Sequence, residues 1–321
     1  MINETVELFF AFDDAYAPLA AVTMLSVKEN RSKMRSYNLH ILHTGMGLRT
    51  ISRLTRELSE DGFELYFHDI SWAAVEMSEQ LHTRDYYSKC TYYRLFISRL
   101  FPDIKKALYL DCDLILKADV AELFDTDISD SLVGAVPDGA VAQVPAFREY
   151  VERRLDLAPE RYFNAGVLLM NLERMRQIGF EAIFRRLIAS VKFDIAQDQD
   201  YLNVICRDNV KYIADSWNRM PLFPQEDGER VKIIHFNLDK KPWQVTGIPF
   251  EEEFYSYAKR SAWGGVIGTM SRSYTDADRA KAAEATERLI VNAQREAYDD
   301  AECARIKKEI EAIARVHCEA V

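Results

Sequence analysis

The stretch Tyr109-Leu110-Asp111-Cys112-Asp113-Leu114-Ile115-Leu116 sets two carboxylates one residue apart between two apolar runs. Ala107–Leu110 reads as a strand that runs into Asp111. In extended chain alternate side chains share a face, so Asp111 and Asp113 converge on one point while Cys112 turns away. Two carboxylates held that close at a half-buried edge repel each other unless a cation sits between them. Hard oxygen ligands of this kind suit Mn²⁺ or Mg²⁺, with substrate phosphate completing the shell. The same residues also suit a turn with two solvated aspartates, but the apolar runs on both sides make that turn less comfortable.

Upstream, short apolar runs alternate with helical stretches. Leu8–Phe12 reads as a buried strand that stops at Asp13-Asp14, and Pro18 opens a nearly all-apolar helix reaching Val27. Asn38–His43 is a second strand, followed by a Gly45/Gly47 turn and the helix-like Leu48–Leu58. Phe63–Phe67 is a third strand and Lys89–Leu100 is helical, which makes Ala107–Leu110 the fourth strand. This alternation predicts an α/β fold with a mostly parallel central sheet flanked by helices. Ligands of such sheets bind beyond the carboxyl ends of the strands, where both acidic pairs lie. Downstream, Leu132–Val136, Phe163–Met170, Lys211–Ala214 and Lys232–Phe236 read as strands. Leu172–Ser190 reads as an amphipathic stretch, and Asp200–Cys206 starts a helix. Gly45-Met46-Gly47 echoes a dinucleotide fingerprint only faintly, because Thr50 stands where its third glycine would fall.

The 321 residues carry a net charge of −10, which argues against a sequence-blind nucleic-acid binder. An anionic nucleotide-sugar remains compatible, since one divalent cation neutralises a diphosphate locally. The five cysteines are scattered without metal spacing, which favours reduced thiols and a cytoplasmic setting. Glu4 and Glu7 stand where a secretory signal would carry basic residues, and no apolar run is long enough to be a transmembrane segment. After about Tyr274 the composition turns Ala-, Glu-, Arg- and Lys-rich, with Ile306, Ile310 and Ile313 in one stripe at helical spacing. The expected division is therefore residues 1–270 as the main domain and 271–321 as a helical extension, packed on the body or forming a homo-oligomer contact.

Three more clusters carry polar chemistry. His235 ends the apolar run Val231–Ile234, and imidazole is a natural third ligand beside two carboxylates. Lys241 nearby can reach a diphosphate as a point charge; a strand-capping His and a solvated Lys are the plainer alternative. Asn164 and Gly166 open an otherwise apolar strand, where an amide can meet sugar hydroxyls. Asp198, Gln199 and Asp200 precede a helical stretch, and a single N-cap needs only one of them.

In this order, the four clusters resemble glycosyltransferase family 8, which includes bacterial lipopolysaccharide galactosyl- and glucosyltransferases and glycogenin. The likeness runs from about Leu8 to Trp243. It implies a GT-A type nucleotide-diphospho-sugar transferase fold. It also implies a Mn²⁺-dependent retaining hexosyltransferase that moves galactose or glucose from a UDP-sugar to a glycan, lipid-linked or other hydroxyl acceptor. Residue by residue, Asp111, Asp113 and His235 match the metal ligands. Ala11 and Asp13, in FFAFDDAYA, match uridine contacts, and Cys112 is counted with the donor-binding residues. Arg94, in TYYRLFI, matches an arginine bridging sugar and diphosphate, and Asn164 and Ala165 match sugar-side contacts. Asp198 and Gln199 match the catalytic pair that holds the hexose, with Gln199 near the anomeric carbon. Lys241 matches the diphosphate lysine of H-x-x-G-x-x-K-P-W. Two positions depart from the pattern: Leu238 replaces its glycine, and Ala15 stands where lipopolysaccharide enzymes tend to have Asn. These departures keep a catalytically weak UDP-sugar-binding module in view. An aspartate-nucleophile phosphatase fits less well, because Ile115 occupies the place of the Thr or Val four residues after the first Asp.

Overall fold

The computed structural model describes residues 5–76, 89–221, 230–238 and 241–319. Its chain divides into two units. One comprises Met1–Ala74, Ala107–Asp127 and Ala214–Ala283; the other comprises Val75–Lys106, Ile128–Ile213 and Glu284–Val321.

In the first unit, β1 (Val6–Ala11), β2 (Tyr37–His43), β3 (Phe63–Asp69) and β4 (Lys106–Leu110) lie in the order β3-β2-β1-β4, every pair parallel. Leu8, Phe10, Leu39 and Ile41 are fully buried, as continuous apolar runs in a parallel sheet should be. The helix Ala17–Asn30 is apolar almost all round and buries ten residues. Its few polar side chains have a specific use. β5 (Leu114–Leu116) pairs antiparallel with β9 (Ile233–His235), Leu114 opposite His235. The other edge of β5 is paired by that helix. Thr23 Oγ1 donates to Leu114 O (2.9 Å) and accepts from Leu114 N (3.1 Å), and Ser26 Oγ accepts from Leu116 N (3.0 Å). Asn30 Nδ2 donates to Leu116 O (2.9 Å). Leaving such buried backbone groups unpaired would cost on the order of 1–3 kcal/mol each.

In the second unit, β6 (Val133–Pro137), β7 (Phe163–Asn171) and β8 (Val210–Tyr212) lie in the order β7-β6-β8, with β6 antiparallel to β7 and parallel to β8. The fully buried carboxylate of Asp200 accepts from Tyr150 Oη (3.0 Å), Tyr162 Oη (2.6 Å) and Ala196 N (2.9 Å). It thereby ties the helices Pro145–Arg154 and Asp198–Cys206 to the start of β7.

Several expectations change in detail. Lys89–Leu100 is a 3₁₀ helix over Lys89–Phe96 followed by an α-turn over Ile97–Leu100. Leu172–Ser190 is two helices, Leu172–Gln177 and Phe180–Ser190, broken at Gly179 with φ +68°. The helix expected to start at Asp200 begins at Asp198. The C-terminal stretch forms the helices Asp276–Ala297 and Asp300–Glu319, and Ile306 and Ile310 are buried. The side chains of Ile313 and Cys318 lie outside the described residues, as do Glu4, Asp239 and Lys240. Cys90, Cys112, Cys206 and Cys303 are not joined by disulfides. No helix among the described residues is long and apolar enough to cross a membrane.

Glu296, on the helix Asp276–Ala297, faces Arg154 at 3.8 Å, beyond hydrogen-bond range. Burial therefore outweighs the attraction of Arg154 and pushes the Glu296 carboxyl up to about 7, with Asp194 and Asp200 adding to the rise. The folded state holds this proton more tightly than the unfolded chain does. Its stabilising contribution is complete below the unfolded carboxylate range and is lost as pH rises through about 7. Glu296→Gln should match the parent near pH 5 and exceed it at pH 8 by on the order of 3 kcal/mol. Denaturant unfolding at both pH values measures this, and a difference that does not change with pH would sink it.

Candidate functional site

In the first unit the two aspartates lie in the link between β4 and β5, not in a continuous strand as their spacing suggested. The link bends, and its carboxylates still converge, because β5 is held in place on both edges. The pairing of β5 with β9 sets His235 opposite Leu114, and Phe236 N donates to Asp113 O at 3.0 Å. His235 Nε2 then lies 3.4 Å from Asp113 Oδ1 and 3.7 Å from Asp111 Oδ2. Ligand atoms of the three residues all fall within 4.8 Å of one another.

The ring of His235 is oriented from behind. Its Nδ1 meets Asn218 Oδ1 at 2.8 Å. A carbonyl oxygen accepts only, so Nδ1 carries a proton, and Nε2 is the nitrogen that faces the two carboxylates and would ligate a cation. Asp113 is 9% exposed, and its Oδ1 accepts no hydrogen bond among the described residues. A buried acceptor without a donor, facing an imidazole nitrogen and a second carboxylate, is an arrangement that a divalent cation satisfies. These residues fit Mn²⁺ or Mg²⁺. Burial alone would raise the Asp113 carboxyl; the Lys241 ammonium, in contact with Asp113 Oδ2, reverses this, with His235 adding to it, and holds it well below the usual carboxylate range.

The neighbouring predicted residues are also in the first unit. Cys112 Sγ lies 3.9 Å from Ala11 O, so the link that carries Asp111 and Asp113 touches the end of β1. Asp13 is exposed and caps the next turn, accepting from Tyr16 N at 3.0 Å. Ala15 is exposed. Leu238 has φ +55°, the left-handed conformation that favours glycine, so the leucine takes the shape of the residue it replaces.

In the second unit Arg94 is 3% exposed. Its Nε donates to Thr91 O (2.8 Å) and lies 3.0 Å from Asp198 Oδ2, while Nη1 donates to Ala165 O. Gln199 Oε1 accepts from Ala165 N (2.9 Å) and Asn164 Nδ2 (3.3 Å). Arg94, Asn164, Ala165, Asp198 and Gln199 thus form one cluster. Asp200, grouped with them in the sequence, does not join it, because its oxygens are engaged by the two tyrosines and Ala196.

Two residues escaped the sequence reading. Asn218 stands in SWNRM with nothing to mark it. Asp138 accepts from both Asn164 Nδ2 (3.0 Å) and Gln199 Nε2 (3.1 Å). Its signal was available: an Asp-Gly step after the apolar run Leu132–Val136 marks a turn or helix cap.

Comparison with known proteins gives one consistent result. The profile for glycosyl transferase family 8 matches residues 7–247. A putative glycosyltransferase of Haemophilus influenzae is 29% identical over 223 residues, covering 68% of this chain and 64% of that protein. The lipopolysaccharide 1,3-galactosyltransferase of Salmonella typhimurium is 26% identical over 209 residues, 59% of each chain. The chain thus spans less than two thirds of the length of either relative. Among solved structures, galactosyltransferase LgtC in complex with donor and acceptor sugar analogs superposes with a TM-score of 0.70 at 25% identity, covering 81% of this chain and 99% of that one.

Replacing Asn218 by Ala removes the acceptor that sets the His235 tautomer. Mn²⁺ titrated calorimetrically into Asn218→Ala should bind about 10- to 100-fold more weakly than into the parent. Equal affinities would remove Asn218 from the site.

Proposed function

Because the chain belongs to glycosyl transferase family 8 and has the GT-A type fold of that family's solved members, we propose that it transfers galactose or glucose from a UDP-sugar to a hydroxyl acceptor with retention of configuration. The observation that carries this is the convergence of the orphaned Asp113 Oδ1, His235 Nε2 and the Asp111 carboxylate. A divalent cation bound there would offset the charge of a diphosphate, including the charge that develops on the leaving UDP. Lys241, now on Asp113, is the chain's own cation for the same leaving group. Ala11, Asp13 and Cys112 belong to the nucleotide side of this reading. Arg94, Asn164, Ala165, Asp198 and Gln199 belong to the hexose side, with Gln199 at the anomeric carbon. The acceptor is a glycan or lipid-linked sugar, and residues 271–321 form an extension to the transferase domain of residues 1–270.

The hydrogen bonds of the second unit bear on the reaction course. A double displacement needs a carboxylate with a free lone pair at the anomeric carbon. Asp198 is paired with Arg94, Asp200 is buried under two tyrosine hydroxyls, and Gln199 is an amide whose Oε1 is already accepting. This supports front-face attack, in which the departing phosphate takes the acceptor's proton.

The test is thermal unfolding with UDP-galactose and UDP-glucose, with and without Mn²⁺, read beside UDP release. One donor should raise Tm only when Mn²⁺ is present, by the mass-action gain of ligand binding. Asp113→Ala should lose both that metal-dependent shift and turnover. Equal shifts without metal, or an undiminished rate in Asp113→Ala, would defeat the assignment. A Mn²⁺-dependent shift without UDP release would leave a UDP-sugar-binding module.

A further inference from the structure

We propose that Asp138 is a positioning residue for the transfer step: its carboxylate fixes which end of the Gln199 side-chain amide faces which neighbour. The proposal rests on the reading above that puts Gln199 at the reacting carbon.

An amide side chain can turn end for end with almost no change of shape, so its orientation is decided by its partners. Asp138 is 4% exposed and all its contacts are donors. Oδ1 caps the short helix Gly139–Gln143, accepting from Ala140 N (2.9 Å) and Val141 N (3.2 Å). Oδ2 accepts from Asn164 Nδ2 (3.0 Å) and Gln199 Nε2 (3.1 Å). An ionised carboxylate cannot donate, so both amides must present their NH₂ groups to it. The consequence runs around a ring. Asn164 Oδ1 is turned to accept from Gly166 N at 2.9 Å, and Gln199 Oε1 is turned to accept from Ala165 N at 2.9 Å. Reversing Gln199 alone would set its oxygen against the Asp138 carboxylate and its NH₂ against the Ala165 N–H and the Asn164 NH₂. Asp138 is the one side chain of the ring whose hydrogen-bond polarity is fixed by its own charge, and the backbone N–H groups of Ala165 and Gly166, which can only donate, favour the same orientation.

Asp138→Asn keeps the shape and the helix cap, because asparagine caps as well as aspartate. It puts an NH₂ where two amide NH₂ groups already point, so Gln199 must turn or withdraw. Misplacement of that kind should lower kcat for UDP release by about 100-fold. The KM for the UDP-sugar and the Mn²⁺-dependent thermal shift should stay within about threefold of the parent's, as expected when an interaction realised in the transition state is lost. The Gln199 side-chain NH₂ resonances, assigned by their loss in Gln199→Glu, should lose their exchange protection in Asp138→Asn.

Gln199→Glu sets two carboxylates against each other, and adding D138N lets the introduced asparagine donate to the introduced carboxylate. The double variant should therefore exceed the kcat predicted from multiplying the two single effects by about tenfold or more. The comparison of Q199E with the double variant stands even where D138N alone folds poorly. Retained NH₂ protection in D138N, or multiplicative losses in the double variant, overturn the role of Asp138. Lost protection with unchanged kcat instead overturns the placement of Gln199 at the reacting carbon.

Discussion

Three groups are held face to face beside β5: an oxygen of Asp111, the donor-less Oδ1 of Asp113 and Nε2 of His235. Left to themselves they would move apart. They stay because β5 and β9 pair in one register, and because Thr23, Ser26 and Asn30 pair the other edge of β5. A slip of one residue along that short ribbon would put Ile234 where His235 stands and turn the imidazole to the opposite face. The register is defended by burial, since Leu114, Ile115, Leu116, Ile233 and Ile234 are all at most 1% exposed. Hydrophobic contacts and helix hydroxyls thus hold a repulsive set of ligands in place.

The second unit solves the opposite problem. Both ends of the Gln199 amide have partners, and the donors and acceptors alternate through Asp138, Asn164, Ala165 and Gln199. Such a ring is rigid in orientation as well as position, because turning one amide breaks contacts at two others. The first unit presents the unmet Asp113 Oδ1 beside a second carboxylate, which suits capture of a cation. The second presents fixed dipoles, which suits orienting a sugar.

Much of this could be read from the chain. The parallel strands announced themselves as apolar runs closed by acidic pairs, and the helix Leu48–Leu58 has the expected limits. Asp111, Asp113 and His235 were legible because each ends or follows an apolar run at a sheet edge. What escaped depends on contacts distant in sequence. Asn218 acts 17 residues from His235 with no local pattern to betray it, and Asp138 acts 61 residues from Gln199, so its Asp-Gly step marks a turn or cap but not the partner. Thr23, Ser26 and Asn30 looked like polar interruptions of an apolar helix, and only the facing strand shows why they are there. The aspartate pair was rightly expected to converge, but a bend delivers it where strand alternation had been assumed.

Leu238 adds a consequence for how the Lys241 loop behaves. A glycine would let the chain pass smoothly between positive and negative φ, whereas a leucine finds the left-handed well narrow and costly by about 1–2 kcal/mol. At φ +55° the leucine occupies that well, three residues before the lysine that grips Asp113. Between that well and ordinary leucine geometry lies a steric barrier, so the turn at position 238 is held more stiffly than a glycine would hold it, and the leucine side chain sets that stiffness.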